Sequence, residues 1–317
     1  MCVTAPIERD GMKIMVRVAS MFLVGFALAA SVCAAAAPAA AKIEDGYFTT
    51  DDGARIHYLE AGQGRAVPLV LIPGWTLTAS LWREQLQQFS TSRRVIAIDS
   101  RSQGASSVMQ TGNTPERRAQ DLHALMASLH IDRFVLVGWS QGAQDVAAYV
   151  QQFGTDSLAG VAFVDSPVSA GTDELDIRKT FSKAILSGLS TYASQPAAYS
   201  AGMVRSIFKQ PHPAAYIDDV IAQAQRTPPS VGSAMLVSDI FGADRRPALQ
   251  KIDRPAWVIA SANSPLLDAQ KDMAADIRGA HLVVVPNVGH AIFVDDPQTF
   301  DKALGELLAT ADSTPLR

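Results

Sequence analysis

The chain has 317 residues, of which 48% are hydrophobic and 18% are charged, and its formal net charge at neutral pH is −4. This is the composition of an ordinary globular protein with enough apolar material for a large core. Charges of both signs are spread along the chain without a basic stripe or an acidic tail, which argues against a nucleic-acid partner and against a charged interaction arm.

The first 41 residues differ in kind from the rest. Lys13 and Arg17 precede the apolar and increasingly alanine-rich stretch VASMFLVGFALAASVCAAAAPAAA. A basic region, an apolar region and small residues in this order predict a signal peptide over 1–41, and therefore a periplasmic or secreted protein without a membrane span in its mature form. Two alternatives stay open: an uncleaved membrane anchor, because the run is long enough to span a bilayer, and a lipoprotein linked through Cys33.

Both cysteines, Cys2 and Cys33, fall within this leader. The mature chain would therefore hold no thiol, which suits an oxidising compartment without requiring a disulfide framework. Thiol catalysis and cysteine-ligated zinc are excluded for the mature chain by the same observation.

After the leader, apolar runs alternate with amphipathic helical segments. The runs predict seven strands, over 54–62, 67–74, 95–100, 134–138, 160–166, 256–261 and 282–286. Thr114 and Pro115 predict the N-cap and first position of a helix, and other helices are expected over about 81–89, 145–153 and 297–309. Continuous apolar runs separated by helices are typical of a mostly parallel sheet covered on both faces, which is an α/β fold.

One stretch interrupts this alternation. The roughly 85 residues between Pro167 and Arg254 lack a buried strand and read as helices punctuated by prolines at 211–213 and 227–229. We interpret 168–253 as a helical cap that is inserted into a core formed by 42–167 and 254–317.

The segment Gly138-Trp139-Ser140-Gln141-Gly142 lies between the apolar run FVLV and the next helix. A strand that turns at once into a helix needs small residues on both sides of the turning residue, so that strand and helix can pack closely. Such a turn holds the Ser140 hydroxyl above the carboxyl edge of the sheet and points the helix N-terminus and the Gln141 amide at the same place. Ser140 is therefore the candidate nucleophile; the alternative is an incidental serine in a tight turn.

A nucleophilic serine needs a base. Five of the six histidines lie in predicted strands, helices or the insertion, where a structural role is expected: His57, His123, His130, His212 and His281. His290 instead lies in the loop PNVGHAIFVDDP, after the last strand and before the last helix. Because that loop opens on the same edge of the sheet as Ser140, His290 is the candidate base.

With these two residues in place, the chain resembles the α/β-hydrolase family, and specifically its capped branch, from about residue 45 to the C-terminus. The family's nucleophile turn falls on Gly138–Gly142 and its histidine loop on Gly289-His290. The resemblance implies that the insertion follows the sixth strand of the sheet. It also implies a second oxyanion donor, the backbone amide of Trp75, although Pro73 stands where the family usually has histidine.

The acid of the triad is where the chain departs from the family. The family usually has Gly-x-x-Asp after the strand that follows the cap. The corresponding stretch here is Ile259-Ala260-Ser261-Ala262-Asn263-Ser264-Pro265, which has no carboxylate at the expected place, and the next one, Asp268, comes a few residues late. Some capped members place the acid after the preceding strand, where this chain has Asp165, 25 residues beyond Ser140. The resemblance thus favours Asp165, with Asp268 as the alternative; Asp165 could also merely cap the strand exit.

These residues imply hydrolysis of a small-molecule carboxylic ester or lactone through a Ser-His-Asp triad and an acyl-enzyme, with no metal or organic cofactor. A cofactor-free perhydrolase or haloperoxidase-like activity and carbon–carbon bond hydrolysis would use the same residues. A binding protein that has lost catalysis is the alternative from another class, since fold alone does not guarantee activity. Trp75 and Trp139 would flank the reactive serine, either as core residues or as walls of an apolar acyl pocket. The sequence gives no indication of oligomeric state.

Overall fold

The computed structural model describes residues 41–168 and 180–314. The predicted signal peptide, apart from Ala41, and residues 169–179 of the predicted cap therefore lie outside the described residues. Within the two described ranges, no helix has the length and hydropathy needed to cross a membrane.

One seven-stranded sheet forms the centre of the molecule. Its strands are β1 (Glu44–Thr49), β2 (Arg55–Ile72), β3 (Arg93–Ile98), β4 (Phe134–Trp139), β5 (Leu158–Val164), β6 (Ala256–Ser261) and β7 (His281–Val285). The sequence does not predict β1, because its side chains are only half-buried or exposed and form no apolar run.

The helices of the described residues connect and cover these strands. They are α1 (Arg83–Phe89), α2 (Pro115–Ser128), α3 (Gln141–Phe153), α4 (Thr180–Ser194), α5 (Pro196–Ser206), α6 (Ala214–Ala224), α7 (Pro229–Phe241), α8 (Leu267–Asp276), α9 (Ile292–Asp295) and α10 (Pro297–Ser313). The predicted start of α2 is confirmed: Pro115 is its first residue, and the Thr114 side chain accepts a hydrogen bond from the Arg117 amide at 3.2 Å.

The long strand β2 contains both of the first two predicted strands and changes its pairing at about Gly62. In its first half Ala61 pairs with Val95 and Tyr58 with Ile98, an antiparallel register, whereas in its second half Leu69 pairs with Val95 and Leu71 with Ala97, a parallel one. When the two halves are counted separately, β5 is the sixth strand of the sheet.

The second half of β2 and the strands β4, β5, β6 and β7 pair in parallel in that order. Parallel strands end at the same edge of a sheet, so the loops that follow β4, β5, β6 and β7 come together. This edge is where Ser140, Asp165 and His290 lie.

Helices cover both faces of the sheet, and each face has its own apolar core. On one face α1, α9 and α10 bury residues such as Leu86, Phe293 and Leu304 against the strands. On the other face α2 and α3 bury residues such as Leu122 and Val146. The predicted α/β architecture is thereby confirmed.

Between Thr180 and Lys251 the described residues form four helices and a short 3-10 helix, and no strand. This helical segment 180–251 leaves the sheet after β5 and returns to it at β6. The helices of this segment agree with the helical pattern that the sequence shows in the same region.

Candidate active site

Ser140 occupies the sharp turn between β4 and α3. Its backbone angles are φ 55° and ψ −119°, a strained conformation for a residue with a side chain. The glycines on either side are sterically required: a Cβ on Gly138 would lie 2.2 Å from the Gly142 carbonyl oxygen, and one on Gly142 would lie 2.9 Å from the Ile72 carbonyl oxygen. A strained turn with this steric requirement is consistent with a hydroxyl held in place for chemistry.

The segment after β2 lies directly beside this serine. A Cβ on Gly74 would lie 3.5 Å from Ser140 Oγ, so the chain passes close to the hydroxyl. Within the described part of the chain, the amides of Trp75 and Gln141 donate to no protein acceptor. Two unpaired amides next to a serine hydroxyl are the arrangement that stabilises an oxyanion.

His290 lies in the loop between β7 and α9, and its imidazole contacts Asp165. The distance from His290 Nδ1 to Asp165 Oδ2 is 2.8 Å. Because an ionised carboxylate can only accept, Nδ1 carries the proton and Nε2 is left free to act as a base. The backbone carbonyl of His290 accepts from the Trp139 indole N–H at 2.9 Å, which ties the histidine loop to the residue before Ser140.

Asp165 follows β5 directly and its side chain is 2% exposed. Its second oxygen, Oδ1, accepts from the Ser261 amide at 2.8 Å and from Gln270 Nε2 at 3.3 Å. The carboxylate is thus fixed by donors from β6 and α8 as well as by the imidazole. The amide of Ser140 donates to the Val164 carbonyl at 3.0 Å, so the serine turn and the aspartate are held by the same strand end.

Asp268, the alternative acid, lies at the start of α8 and does not contact the histidine. Its side chain is 93% exposed and pairs with Lys271 at 2.9 Å. Asn263, in the stretch where the family usually has its acid, donates its side-chain amide N–H to the Val288 carbonyl at 3.0 Å. The geometry therefore brings Asp165, and not Asp268, to His290; the catalytic role of the acid stays a prediction.

A cavity of about 620 Å³ opens at Ser140, Asp165 and His290. Its other walls come from the segment after β2, the loops that follow β6 and β7, and the helical segment 180–251. The apolar residues that line it are Trp75, Leu77, Ile185, Tyr199, Met203, Ile207, Phe208, Leu236, Pro265 and Val288. Such a cavity suits an apolar molecule of small to medium size, held with a carbonyl beside the serine.

The two tryptophans near the serine differ in position. Trp139 is fully buried and packs edge-on against Trp82 and Phe293, so it is a core residue. Trp75 lines the cavity, and its indole N–H donates to the Gly232 carbonyl of α7 at 2.8 Å. Of the two interpretations, core packing therefore applies to Trp139 and the pocket wall to Trp75.

A buried charge cluster behind the serine was not predicted. Arg118 of α2 contacts Asp145 of α3 at 2.8 Å and Asp239 of α7 at 2.6 Å, with all three side chains at most 4% exposed. Burial raises the pKa of Asp145 to about 7, although the Arg118 guanidinium opposes the shift. With its amide oriented to satisfy both neighbours, the Gln141 side chain donates to Asp239 at 3.2 Å and accepts from Arg118 at 3.1 Å.

This cluster connects α7 to the helix that carries the Gln141 amide. A signal for it exists in the sequence, because Asp145 interrupts an otherwise apolar helix face. The partner Asp239 is almost a hundred positions away in a different element, which no local pattern indicates.

Among the described residues, no group of three or more histidine, cysteine, aspartate or glutamate side chains is placed to hold a metal ion.

The comparisons with known proteins agree with this fold. A sequence model described as the alpha/beta hydrolase family matches residues 69–303, and the chain belongs to this family. A curated relative, the non-heme chloroperoxidase CPO-A1 of Kitasatospora aureofaciens, is 28% identical over 277 residues, which are 82% of this chain and 98% of that protein.

Two further matches extend the comparison. The bifunctional esterase/perhydrolase DCH of Acinetobacter calcoaceticus is 32% identical over 122 residues, which are 38% of this chain and 44% of that protein. The crystal structure of a bromoperoxidase from Bacillus anthracis superposes with a TM-score of 0.75 at 22% identity, covering 84% of this chain and all of that one. At this identity the structural likeness shows the fold alone.

Proposed function

We propose that this protein is a serine hydrolase that cleaves carboxylic esters or lactones through an acyl-enzyme. The observation that carries the proposal is the contact of 2.8 Å between His290 Nδ1 and the buried Asp165, on the wall of the cavity that also exposes Ser140. The contact with Asp165 holds the imidazole proton on His290 Nδ1, so Nε2 can accept a proton from Ser140, which lies on a strained turn in the same cavity. This arrangement supports nucleophilic catalysis.

In this mechanism Ser140 Oγ attacks the ester carbonyl carbon while His290 Nε2 takes the hydroxyl proton. The amides of Trp75 and Gln141 stabilise the negative charge on the carbonyl oxygen, where one good donor contributes a factor of about 10² to 10³ in rate. The imidazolium, stabilised by Asp165, gives its proton to the leaving alcohol. Water activated by His290 then attacks the acyl-enzyme and releases the carboxylic acid and the free serine.

We propose that residues 168–253 act as a cap over this site and that 42–167 and 254–317 form the core. Residues of α4, α5 and α7 line the cavity, which supports this division.

We also propose that residues 1–41 direct export and are then removed. N-terminal sequencing of protein from the periplasm and the medium tests this proposal, and an N-terminus at Met1 or Met12 contradicts it.

Hydrolysis of p-nitrophenyl butyrate by the wild type, the Ser140→Ala variant and a control, Ser128→Ala, tests the reaction. Ser128 lies on α2, its hydroxyl donates to the Leu125 carbonyl, and it is not among the cavity-lining residues, so the control makes the same chemical change away from the cavity. We expect activity in the wild type and the control, and a loss of at least about 10⁴-fold in Ser140→Ala. Equal and slow release of p-nitrophenol by all three proteins contradicts the proposal and favours a non-catalytic binding protein.

A second candidate is perhydrolysis, in which hydrogen peroxide replaces water at the acyl-enzyme. Relatives named chloroperoxidase and esterase/perhydrolase favour it. Formation of peracetic acid from acetate and peroxide by the wild type, and its absence with Ser140→Ala, would support this activity in addition to ester hydrolysis. Peroxide-independent cleavage of a diketone would indicate carbon–carbon bond hydrolysis instead.

A further inference from the structure

Among the described residues, few charged side chains line the cavity. Apart from His290 and Asp165, the only charged residue among the described residues that line it is Lys209. The remaining walls are mostly apolar, so they do not distinguish anions from cations. Among these described walls, Lys209 is therefore the side chain outside the His290–Asp165 pair that can favour a substrate of one charge.

Lys209 is held in a fixed position relative to the histidine loop. Its backbone amide donates to Asp295 Oδ2 at 2.8 Å, and the same oxygen accepts from the Gly289 amide at 2.6 Å. The Asp295 side chain is fully buried, so this junction is rigid. Lys209 thus starts from an anchored backbone next to His290, and only its side chain is free to move.

The partner of the ammonium group is neutral. Lys209 Nζ donates to Asn263 Oδ1 at 3.1 Å, and Asn263 is in turn held by the Val288 carbonyl and by the Ser261 hydroxyl. An aspartate at 263 would pair with the lysine as an opposite charge, whereas the amide oxygen of asparagine adds no negative charge. Among the described residues Lys209 Nζ has Asn263 as its polar partner, and the Lys209 side chain is exposed, so its ammonium group is accessible to an anionic group of a ligand.

We propose that Lys209 and Asn263 form a carboxylate subsite, and that the preferred substrates are esters or lactones that carry a free carboxylate on the part remote from the scissile bond. This inference rests on the proposed ester hydrolysis. The apolar walls contact the carbon chain, and the ammonium group binds the carboxylate at the mouth of the cavity. Lys209 is then a specificity-determining residue rather than a group that takes part in bond cleavage.

The test compares two pairs of esters, and within each pair the anionic ester carries a carboxylate where the neutral ester carries a hydrogen. On the acyl side these are p-nitrophenyl butyrate and mono-p-nitrophenyl glutarate; on the alcohol side they are phenyl acetate and 4-carboxyphenyl acetate. The ratio of kcat/KM for the anionic ester to kcat/KM for the neutral ester is measured for wild type, Lys209→Met, Lys209→Glu and the control Lys251→Met. Lys251 is exposed, does not line the cavity, and its replacement removes the same charge.

In at least one pair we expect the wild type to favour the anionic ester, and Lys209→Met to lower the ratio about fivefold, mainly through KM, as for an ion pair in a partly exposed site. Lys209→Glu should lower it further, and added salt should reduce the preference of the wild type. An unchanged kcat/KM ratio in Lys209→Met, or an equal fall of the ratio in Lys251→Met, overturns the subsite. In that case hydrolysis of the neutral esters still supports the proposed function. A wild type that cleaves none of the four esters refutes the proposed function itself.

Discussion

Replacing Asp165 by asparagine separates the two candidate acids. The Asp165 carboxylate is 2% exposed and contacts His290 Nδ1 at 2.8 Å, whereas Asp268 is 93% exposed and pairs only with Lys271. An asparagine at 165 has nearly the same shape, but it cannot stabilise an imidazolium and can hold the ring in the wrong tautomer. By analogy with the same change in other serine hydrolases, we expect kcat for p-nitrophenyl butyrate to fall about 10⁴-fold.

Asp268→Asn is the matched control for this experiment. It removes an exposed ion pair of a kind that contributes about 0–1 kcal/mol, so kcat should change by less than about twofold. Thermal unfolding of both variants verifies that they are folded. Retention of more than about a tenth of the activity by Asp165→Asn, or a large loss in Asp268→Asn, would refute the assignment of the acid.

Two further predictions concern stability. Arg118→Met leaves the buried carboxylates of Asp145 and Asp239 without their shared cation. The free energy of unfolding in urea at pH 8 should therefore fall by about 3–5 kcal/mol, and by less at pH 5, where the carboxylates accept protons. A fall below about 1 kcal/mol at pH 8 contradicts the role of the cluster. Burial raises the pKa of Asp301 to about 6, above its ordinary value of 3.8, so the folded state binds this proton more tightly and the wild type loses stability as pH rises from about 4 to about 6. Asp301→Asn can still accept the hydrogen bond from Gln85. After allowance for partial exposure, this variant should be more stable than the wild type by about 1 kcal/mol at pH 8 and should show no gain in stability at pH 4. Equal stability of the two proteins at pH 8 would show that Asp301 ionises without penalty.

Much of the fold can be predicted from the sequence because its signals are local. Runs of five to nine residues rich in apolar side chains indicate the buried strands, and Thr114-Pro115 marks the start of a helix within two residues. All determinants of the serine turn lie within Gly138–Gly142. The strand β1 is the exception: as an edge strand with no buried face, it carries no periodic signal.

The contacts that complete the site are not local, and this is why the sequence leaves them open. Asp165 and His290 are 125 positions apart and meet only because parallel strands end at one edge of the sheet. The choice between Asp165 and Asp268 depends on which carboxylate the sheet buries. The link from Lys209 to Asn263 likewise depends on how the helical segment 180–251 folds back over that edge.

The most direct test of the central claim, that Ser140 is a nucleophile activated by His290, is peptide mapping after treatment with diethyl p-nitrophenyl phosphate. This reagent phosphorylates activated serines and releases one p-nitrophenol for each. We predict one equivalent of p-nitrophenol, a diethylphosphoryl group on Ser140 alone, and no labelling of a His290→Ala variant on the same timescale. A protein that stays unlabelled, or that is labelled at another residue while Ser140 remains free, would contradict the account.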